Sequence, residues 1–369
     1  MHRVMESPKM VTLGSSILVP SVQELAKENM INVPPRYLRP DQDPPLINSP
    51  LPSISIPIID MDKLLQQESS AAELERLHSA CKEWGFFQLV NHGVSSSLVE
   101  NMKYEIQNFF KLPLEEKKRF WQQPGDLEGF GQIFVVSEEQ KLDWGDMFYL
   151  TTLPHHMKKC RLFDHLPLSF RETMEAYSLE MDKLAMSTLG FMARALGMKA
   201  EEIRELFDEG FQSMRMNYYP PCPQPESAIG LAPHSDASGI TILLQVNEVE
   251  GLQIRKEGMW IPVIPLPNAF TINVGDIMEI VSNGLYRSIE HRATVNSVRE
   301  RLSVATFHSA RMTAVIGPSP SLINLESPAL FRSEHAEKYF KNFFARKLLG
   351  KSNLDFMRID YEEGNSTAS

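Results

Sequence analysis

The segment APHSDASGITILLQ (Ala232–Gln245) joins a short polar stretch to an apolar run rich in β-branched side chains. Residues 240–245 have the composition of a buried strand. His234 and Asp236 precede that strand and are separated by one residue, so an extended backbone directs both side chains to one face. The segment predicts either a polar turn or two ligands of a metal ion whose third ligand lies elsewhere in the chain.

Similar short runs surround this segment and are separated by Gly, Pro and Asn. Examples are SMRMNYY, GLQIRKEGMWIPVI, AFTINVGDIMEIV and RLSVATFH, at residues 213–219, 251–264, 269–281 and 301–308. Many short strands at close spacing predict a β-sandwich or a jelly roll. We therefore predict a mainly β fold with helices, in which a double-stranded β-helix (jelly roll) core is flanked by an α-helical N-terminal region and a C-terminal helix.

Helical periodicity dominates the part of the chain before this core. Ser70 and Glu73 have the spacing of a capping box, which predicts the start of a helix. A long helix is predicted from about Arg171 to Leu196, with Gly197 as its stop. A last helix is predicted near Ser333 to Leu349, where it docks on the barrel or covers its mouth. Its apolar face consists of Phe340, Phe343, Phe344 and Leu348.

These features divide the chain into four predicted regions that form one cooperative unit. Residues 1–54 form a proline-rich N-terminal arm, and residues 55–205 form the helical N-terminal region. Residues 206–312 form the jelly-roll core, and residues 313–369 form a C-terminal helix and a polar tail.

Composition restricts the classes of partner and the compartment. The chain has 369 residues and a formal net charge of −10 at pH 7. This charge argues against nucleic acid, which requires a basic surface, and against anionic membrane surfaces. Three scattered cysteines indicate a reduced intracellular protein. No signal peptide or membrane-spanning run is apparent, so the sequence predicts a cytoplasmic protein.

A third candidate ligand follows in a run that has the character of a strand. His291 lies in YRSIEHRATV, 57 residues after His234. Two imidazoles and one carboxylate on one side of a metal leave coordination positions open, which is the ligand set of non-haem Fe(II) oxygenases. Three protein ligands and a water also describe catalytic zinc sites. The ligand types alone leave both metals open.

Two other strand-like runs supply a candidate carboxylate pocket. Arg301 and Ser303 share a strand face, and a guanidinium within an apolar strand is costly unless it pairs with an anion. Its planar fork suits a carboxylate held by two hydrogen bonds. Asn217 and Tyr219 supply further donors from one face of SMRMNYY. A dicarboxylate that chelates the metal at one end and pairs with Arg301 at the other fits this set.

The joint pattern resembles the plant 2-oxoglutarate- and Fe(II)-dependent dioxygenases. It consists of His234-x-Asp236, His291 and Arg301-x-Ser303, together with NYYPPCPQP (217–225) and KEWGFFQLVNHGV (82–94). The segments ILVPSVQELAKE (17–28) and EGFGQIFVVSEEQKLDWGDMF (128–148) resemble the subgroup of senescence-related dioxygenases and codeine and thebaine O-demethylases.

The resemblance implies a role for each of these residues. His234, Asp236 and His291 would bind Fe(II). Arg301 and Ser303, assisted by Tyr219, would hold the distal carboxylate of 2-oxoglutarate, and Asn217 would lie near its other end. The resemblance also implies that Phe307 and Arg215 face the substrate.

The implied activity is hydroxylation or oxidative O-demethylation of a hydrophobic aromatic plant metabolite, such as an alkaloid or a flavonoid. Molecular oxygen and 2-oxoglutarate are consumed, succinate and CO2 are released, and ascorbate supports turnover. An ascorbate-dependent Fe(II) oxidase that does not use 2-oxoglutarate is one alternative. A non-catalytic binding protein that uses the same barrel is another. The substrate, the oxidised carbon and the oligomeric state are not predicted.

Other histidines and aromatic residues have simpler interpretations. His92 is predicted to pack in a turn, and His155 and His156 to lie on a surface loop. His308 alternates with Phe307 and therefore points away from it. Three aromatic residues fit either a substrate entrance or core packing: Trp144, Phe148 and Tyr149.

Overall fold

The computed structural model describes residues 14, 16–28, 30–40, 55–347 and 350–359. The proposed N-terminal arm is therefore described only in part. Leu348, which we assigned to the apolar face of the last helix, lies outside the described residues, as does the end of the polar tail.

The described strands are numbered in chain order. They are β1 (Ile58–Asp60), β2 (Phe86–Val90), β3 (Gly129–Gly131), β4 (Asp146–Leu153), β5 (Phe211–Tyr219), β6 (Leu231–His234), β7 (Ile240–Gln245), β8 (Leu252–Lys256), β9 (Met259–Pro262), β10 (Phe270–Val274), β11 (His291–Ala293), β12 (Arg301–Ser309), β13 (Val315–Ile316) and β14 (Glu334–His335).

The described α-helices are numbered in the same way. They are α1 (Val22–Leu25), α2 (Met61–Leu65), α3 (Ser70–Ser79), α4 (Ser96–Lys111), α5 (Leu114–Lys117), α6 (Cys160–Phe163), α7 (Leu168–Leu196), α8 (Ala200–Phe207), α9 (Asp276–Val281) and α10 (Ala336–Phe344). Ala80–Trp84 forms a π-helix. Short 3₁₀ helices occur at Pro35–Tyr37, Lys118–Phe120, His155–Met157, Pro320–Leu322 and Ser352–Met357.

Two sheets build the core. The larger has eight strands in the order β1-β2-β10-β7-β12-β5-β4-β3, and the smaller has four in the order β6-β11-β8-β9. Strands from the helical N-terminal region and from the predicted jelly-roll core therefore share one sheet. A separate two-stranded sheet pairs β13 with β14. Strand β14 directly precedes α10 in the sequence.

The register of β5 against β12 aligns the predicted site residues across the larger sheet. Arg301 pairs with Tyr219, Ser303 with Asn217, and Phe307 with Ser213. Alternation along each strand turns these residues to one face. The residues between them, including Met214 and Met216, are buried in the main apolar cluster with α7.

The long helix α7 agrees with the sequence prediction. It spans Leu168–Leu196, and Gly197 at its C-cap has φ 70°, a left-handed conformation that glycine adopts without strain. One face of the helix forms an apolar stripe that is buried, and its methionines Met174 and Met181 are fully covered. This stripe is core packing.

The capping box was wrong. Ser69 is the N-cap of α3, and it makes no side-chain capping hydrogen bond. The carboxylate of Glu73 instead accepts the backbone N–H of Asp60 at 2.7 Å and also pairs with Arg76. The tertiary contact with the end of β1 competes with the local one, and local spacing does not reveal it.

The described part of the N-terminal arm and helix α10 contribute buried side chains. Val22 and Tyr37 from the described part of the arm are buried, and Tyr37 packs edge-on against Trp144 with 5.2 Å between ring centroids. Helix α10 is shorter than predicted, because Glu334–His335 forms β14 before it begins. No helix in the described ranges has both the length and the apolar composition needed to span a bilayer.

Candidate metal centre and adjoining cavities

Two strand ends bring the three predicted metal ligands together. His234 is the last residue of β6 and pairs directly with His291, the first residue of β11. Asp236 follows two residues later, before β7. Its Oδ1 lies 3.5 Å from Nε2 of His234 and 3.7 Å from Nε2 of His291. One ligand atom from each residue thus lies within 4.8 Å of the others.

Backbone carbonyls orient both imidazoles. Nδ1 of His234 lies 2.8 Å from the carbonyl oxygen of Ala232, and Nδ1 of His291 lies 3.1 Å from that of Ile289. A carbonyl oxygen only accepts, so each Nδ1 carries the proton and donates it. Each Nε2 is then unprotonated. Its lone pair is available to a metal ion bound next to Asp236, because the carbonyl holds the proton on Nδ1.

Electrostatics favour the ligand forms of Asp236 and His291. Burial by itself raises the pKa of Asp236, but the adjacent His291 and His234 hold that pKa well below its ordinary value. Burial lowers the pKa of His291 to about 4, and His234 adds to this shift. A carboxylate and a neutral imidazole are the protonation states that bind metals. Two nitrogens and one oxygen that converge in this way fit a divalent transition metal.

Sequence reasoning missed two residues that contact Asp236. The hydroxyl of Thr241 donates to Oδ2 at 2.6 Å, and the side-chain amide of Asn273 donates to the same oxygen at 2.7 Å. Thr241 lies within the segment Ala232–Gln245, and strand alternation predicts it on the inner face. Asn273 gives no such local signal, because it arrives from another strand.

The guanidinium of Arg301 is buried on the same inner face. Nη2 donates to Oε1 of Gln245 at 2.8 Å, Nη1 lies 3.4 Å from Oγ of Ser303, and the group lies over the ring of Tyr219. Nε has no hydrogen-bond partner among the described residues. Burial lowers the pKa of Arg301 from its ordinary value. No described carboxylate forms an ion pair with it, so the pocket offers a buried cation to an incoming anion.

Asn217 lines the same cavity as Arg301. Its Nδ2 is 3.4 Å from Oγ of Ser303. Its buried Oδ1 lacks a partner among the described residues. A cavity of about 50 Å³ joins Asn217, Arg301 and Tyr219 to all three candidate metal ligands. This cavity is called the carboxylate pocket below.

A second cavity of about 50 Å³ shares His234 and Asp236 with the carboxylate pocket. Among the residues that line it, His234 and Asp236 supply the polar end and rings supply most of the wall. Tyr149 donates from its hydroxyl to Oγ of Ser213 at 3.1 Å within this wall. The cavity is called the aromatic cavity below. Its phenylalanines are Phe134, Phe211, Phe307, Phe340, Phe343 and Phe344.

Arg215 and Phe307 border both cavities. Arg215 pairs with Ala305 across the β5–β12 ladder, so the small side chain of Ala305 leaves room beside the guanidinium. Nε of Arg215 is buried and has no hydrogen-bond partner within the described ranges. The two residues predicted to face a substrate therefore lie between the carboxylate pocket and the aromatic cavity.

The remaining candidates lie apart from this centre. His92 packs against the ring of Phe270 at 4.4 Å between centroids, and it lines an open cleft of about 920 Å³ that holds none of the predicted ligands. His155 and His156 are exposed. His308 is buried away from the metal centre. Trp144, Phe148 and Tyr149 all belong to apolar clusters, and Tyr149 also lines the aromatic cavity.

Comparison with protein families gives two matches. Residues 210–310 match the 2OG-Fe(II) oxygenase superfamily, and residues 56–167 match the N-terminal region of the non-haem dioxygenases in morphine synthesis. The first match contains the three candidate metal ligands together with Arg301 and Ser303.

Individual relatives match over most of the chain. The oxoglutarate-dependent flavonoid 7-O-demethylase 1 of Ocimum basilicum is 56% identical, over 94% of this chain and 93% of the relative. Codeine O-demethylase of Papaver somniferum is 51% identical, over 96% of this chain and 100% of the relative. The crystal structure of JOX2 in complex with 2OG, Fe and JA superposes with a TM-score of 0.84 at 36% identity, over 93% of this chain and 98% of that chain. The predicted family resemblance and jelly-roll fold class are thereby confirmed.

Proposed function

Because this chain belongs to the 2OG-Fe(II) oxygenase superfamily and is a 2-oxoglutarate-dependent dioxygenase, we propose that it oxidises a hydrophobic, oxygen-bearing aromatic plant metabolite. The reaction is hydroxylation or O-demethylation. One observation carries the proposal: His234 and Asp236 line both the carboxylate pocket and the aromatic cavity. A dicarboxylate and an aromatic molecule can therefore meet at one metal.

The proposed ligands of Fe(II) are Nε2 of His234, Oδ1 of Asp236 and Nε2 of His291. The fixed tautomers and the ionised carboxylate support this assignment over a structural histidine pair. Fe(II) bound with 2-oxoglutarate supplies the activation of O2 that oxidises a substrate C–H bond while 2-oxoglutarate becomes succinate and CO2. The protein orients both organic molecules and keeps water out of the buried centre.

The proposed partner of the distal carboxylate of 2-oxoglutarate is Arg301, with Ser303 and Tyr219 beside it. A buried guanidinium without an anionic partner supports this role, since the incoming carboxylate supplies the missing charge. The proposed position of Asn217 is near the metal-chelating end. Its unpartnered Oδ1 remains available there for a ligand or a water.

The proposed substrate site is the aromatic cavity. Six phenylalanine rings provide an apolar wall, and Ser213, Tyr149 and Arg215 provide polar contacts for oxygen atoms. The cavity of about 50 Å³ is smaller than the range of about 300–1,000 Å³ that is typical of ligand sites. An aromatic substrate therefore has to displace some of the α10 rings, of which Phe340, Phe343 and Phe344 line the cavity.

Methoxylated flavonoids are the first substrates to test, since a flavonoid O-demethylase is among the relatives of highest identity. Methoxylated alkaloids come second, on the same reasoning. The alternatives of an oxidase independent of 2-oxoglutarate and of a non-catalytic binding protein are not favoured. We propose a reducing compartment, which agrees with the unpaired state of all three cysteines. The net charge of −10 supports a small-molecule partner over a nucleic acid.

The test is aerobic incubation of the purified chain with Fe(II), ascorbate and a pool of methoxylated flavonoids and alkaloids, with and without 2-oxoglutarate. Succinate together with formaldehyde and a product lighter by one methylene identifies a demethylase. Succinate with a product heavier by one oxygen identifies a hydroxylase. The Asp236→Ala variant is the control and is expected to form neither. Product without added 2-oxoglutarate contradicts the proposal.

A further inference from the structure

The two oxygens of Asp236 have different surroundings. Oδ1 faces the two imidazole Nε2 atoms at 3.5 and 3.7 Å. Oδ2 points away from them and accepts the hydroxyl of Thr241 at 2.6 Å and the amide of Asn273 at 2.7 Å. All three residues are buried. The carboxylate is therefore held at one oxygen and left available to a metal at the other.

Sheet register brings the two donors together. Thr241 on β7 and Asn273 on β10 are directly paired in the antiparallel ladder. Paired residues project their side chains on the same face, where they lie side by side. Both donors therefore reach Asp236 from strands of the larger sheet, whereas His234 and His291 come from the smaller sheet.

The surroundings restrain these groups further. Oγ of Ser238 lies 3.0 Å from the hydroxyl of Thr241 and can donate to it, so that the Thr241 proton remains directed at Asp236. The backbone carbonyl of Asp236 accepts the N–H of Asp276 at 2.7 Å. Hydrogen bonds thus hold both the side chain and the backbone of Asp236 in place.

We propose that Thr241 and Asn273 are positioning residues that restrict Asp236 to binding the metal through Oδ1 alone. The inference rests on the proposed function, since it requires Asp236 to be a metal ligand. Two donors already occupy Oδ2, and its rotation toward the metal would break both of these buried hydrogen bonds. Such a rotation is unfavourable, because buried hydrogen bonds are costly to lose.

Binding through Oδ1 alone would affect how many coordination positions of the metal remain open. A carboxylate that binds a metal through both oxygens occupies one more coordination position than a carboxylate that binds through one. Two-oxygen binding would take one of the positions that this set of three protein ligands would leave open for 2-oxoglutarate and O2. The hydrogen bonds to Oδ2 thus preserve the open positions that distinguish this type of site.

Metal binding tests the inference without turnover. Each variant is titrated with Mn(II) alone, and the electron paramagnetic resonance signal of the free ion reports affinity. Thr241→Val and Asn273→Leu each remove one donor with little change in volume, and each is expected to weaken Mn(II) binding by about 10–100-fold, the usual effect of removing a second-shell partner. Thr241→Ser keeps the hydroxyl and is expected to restore wild-type affinity.

The matched control is Thr271→Val. Thr271 lies two residues before Asn273 on β10, is similarly buried, and makes no hydrogen bond to Asp236 among the described residues. Its Mn(II) affinity is expected to equal that of the wild type. Urea unfolding of each metal-free variant separates loss of metal binding from loss of fold.

A second titration addresses the open positions. Mn(II)-loaded Thr241→Val is expected to bind 2-oxoglutarate more weakly than the loaded wild type, although Arg301 is intact. Folded Thr241→Val and Asn273→Leu proteins that bind Mn(II) and, once loaded, 2-oxoglutarate as tightly as the wild type overturn the inference and leave the proposed function intact. A wild-type protein that binds neither Mn(II) nor Fe(II) overturns both.

Discussion

Replacement of Arg301 by Met is expected to separate cosubstrate binding from stability. The guanidinium is 3% exposed, it has no ion-pair partner among the described residues, and it presents Nη1, Nη2 and an unpartnered Nε to the carboxylate pocket. A bound dicarboxylate gains two charge-assisted hydrogen bonds there, each worth about 1.5–3 kcal/mol. Their loss is expected to weaken 2-oxoglutarate binding by about 10²–10⁴-fold.

The same change has a small effect on the folded state. Met fills a similar volume and removes an uncompensated buried charge, which is commonly neutral or stabilising. The loss of the hydrogen bond to Gln245 opposes this gain, since it leaves a partly buried oxygen unpaired. The free energy of unfolding without ligand is therefore expected to remain within about 2 kcal/mol of the wild-type value.

Calorimetric titration of Mn(II)-loaded protein with 2-oxoglutarate measures the loss of cosubstrate affinity. Urea unfolding without metal or cosubstrate measures the change in the free energy of unfolding. Saturating 2-oxoglutarate is expected to raise the melting temperature of the loaded wild type but not of the variant. Arg301→Lys keeps the charge but loses the planar fork. Its 2-oxoglutarate affinity is expected to lie between those of the wild type and Arg301→Met. Unchanged 2-oxoglutarate affinity in folded Arg301→Met refutes the reasoning. A loss of several kcal/mol of stability makes Arg301 structural.

Four further predictions concern other parts of the site and the core. Asp236→Ala is expected to abolish succinate formation and Mn(II) binding while the protein stays folded; residual substrate-dependent succinate contradicts the ligand assignment. Arg215→Gln is expected to raise KM for the aromatic substrate by about tenfold, the value of one charge-assisted hydrogen bond, with KM for 2-oxoglutarate unchanged; the reverse pattern assigns Arg215 to the cosubstrate. Phe344→Ala is expected to enlarge the aromatic cavity and raise kcat/KM for bulkier substrates relative to smaller ones, and an unchanged ratio argues against α10 as a wall of the site. Burial lowers the pKa of His308 from 6.5 to about 3, so between these values the unfolded chain binds a proton that the folded chain does not. Stability therefore falls as pH falls, by up to about 1.4 kcal/mol per pH unit from this group, and His308→Leu is expected to flatten urea-derived stability between pH 6.5 and 4; equal slopes contradict this account.

The parts of the site that follow strand periodicity were predictable from the sequence. His234 and Asp236 occupy alternate positions before a strand, and Arg301 and Ser303 do the same within one. The period of two places each pair on one face without knowledge of the partner strand. Local alternation therefore identified these four candidates, and the ligand chemistry of the set pointed to His291.

The parts that depend on strand order and register were not predictable. Asn273 reaches Asp236 only because β10 lies beside β7, and Gln245 reaches Arg301 only because β7 lies beside β12. The aromatic cavity likewise collects Phe134 and Phe344 from elements about 200 residues apart in the sequence. A long-range contact also explains the misassigned capping box, where Glu73 binds the backbone of Asp60.

The most direct test of the account is a crystal structure of the chain prepared without oxygen in the presence of Fe(II) and 2-oxoglutarate, with diffraction recorded on both sides of the iron absorption edge. The account predicts one strong anomalous peak among Nε2 of His234, Oδ1 of Asp236 and Nε2 of His291. It also predicts density for the distal carboxylate at Arg301 and Ser303. Iron at another position, or a cosubstrate carboxylate bound away from Arg301, contradicts it.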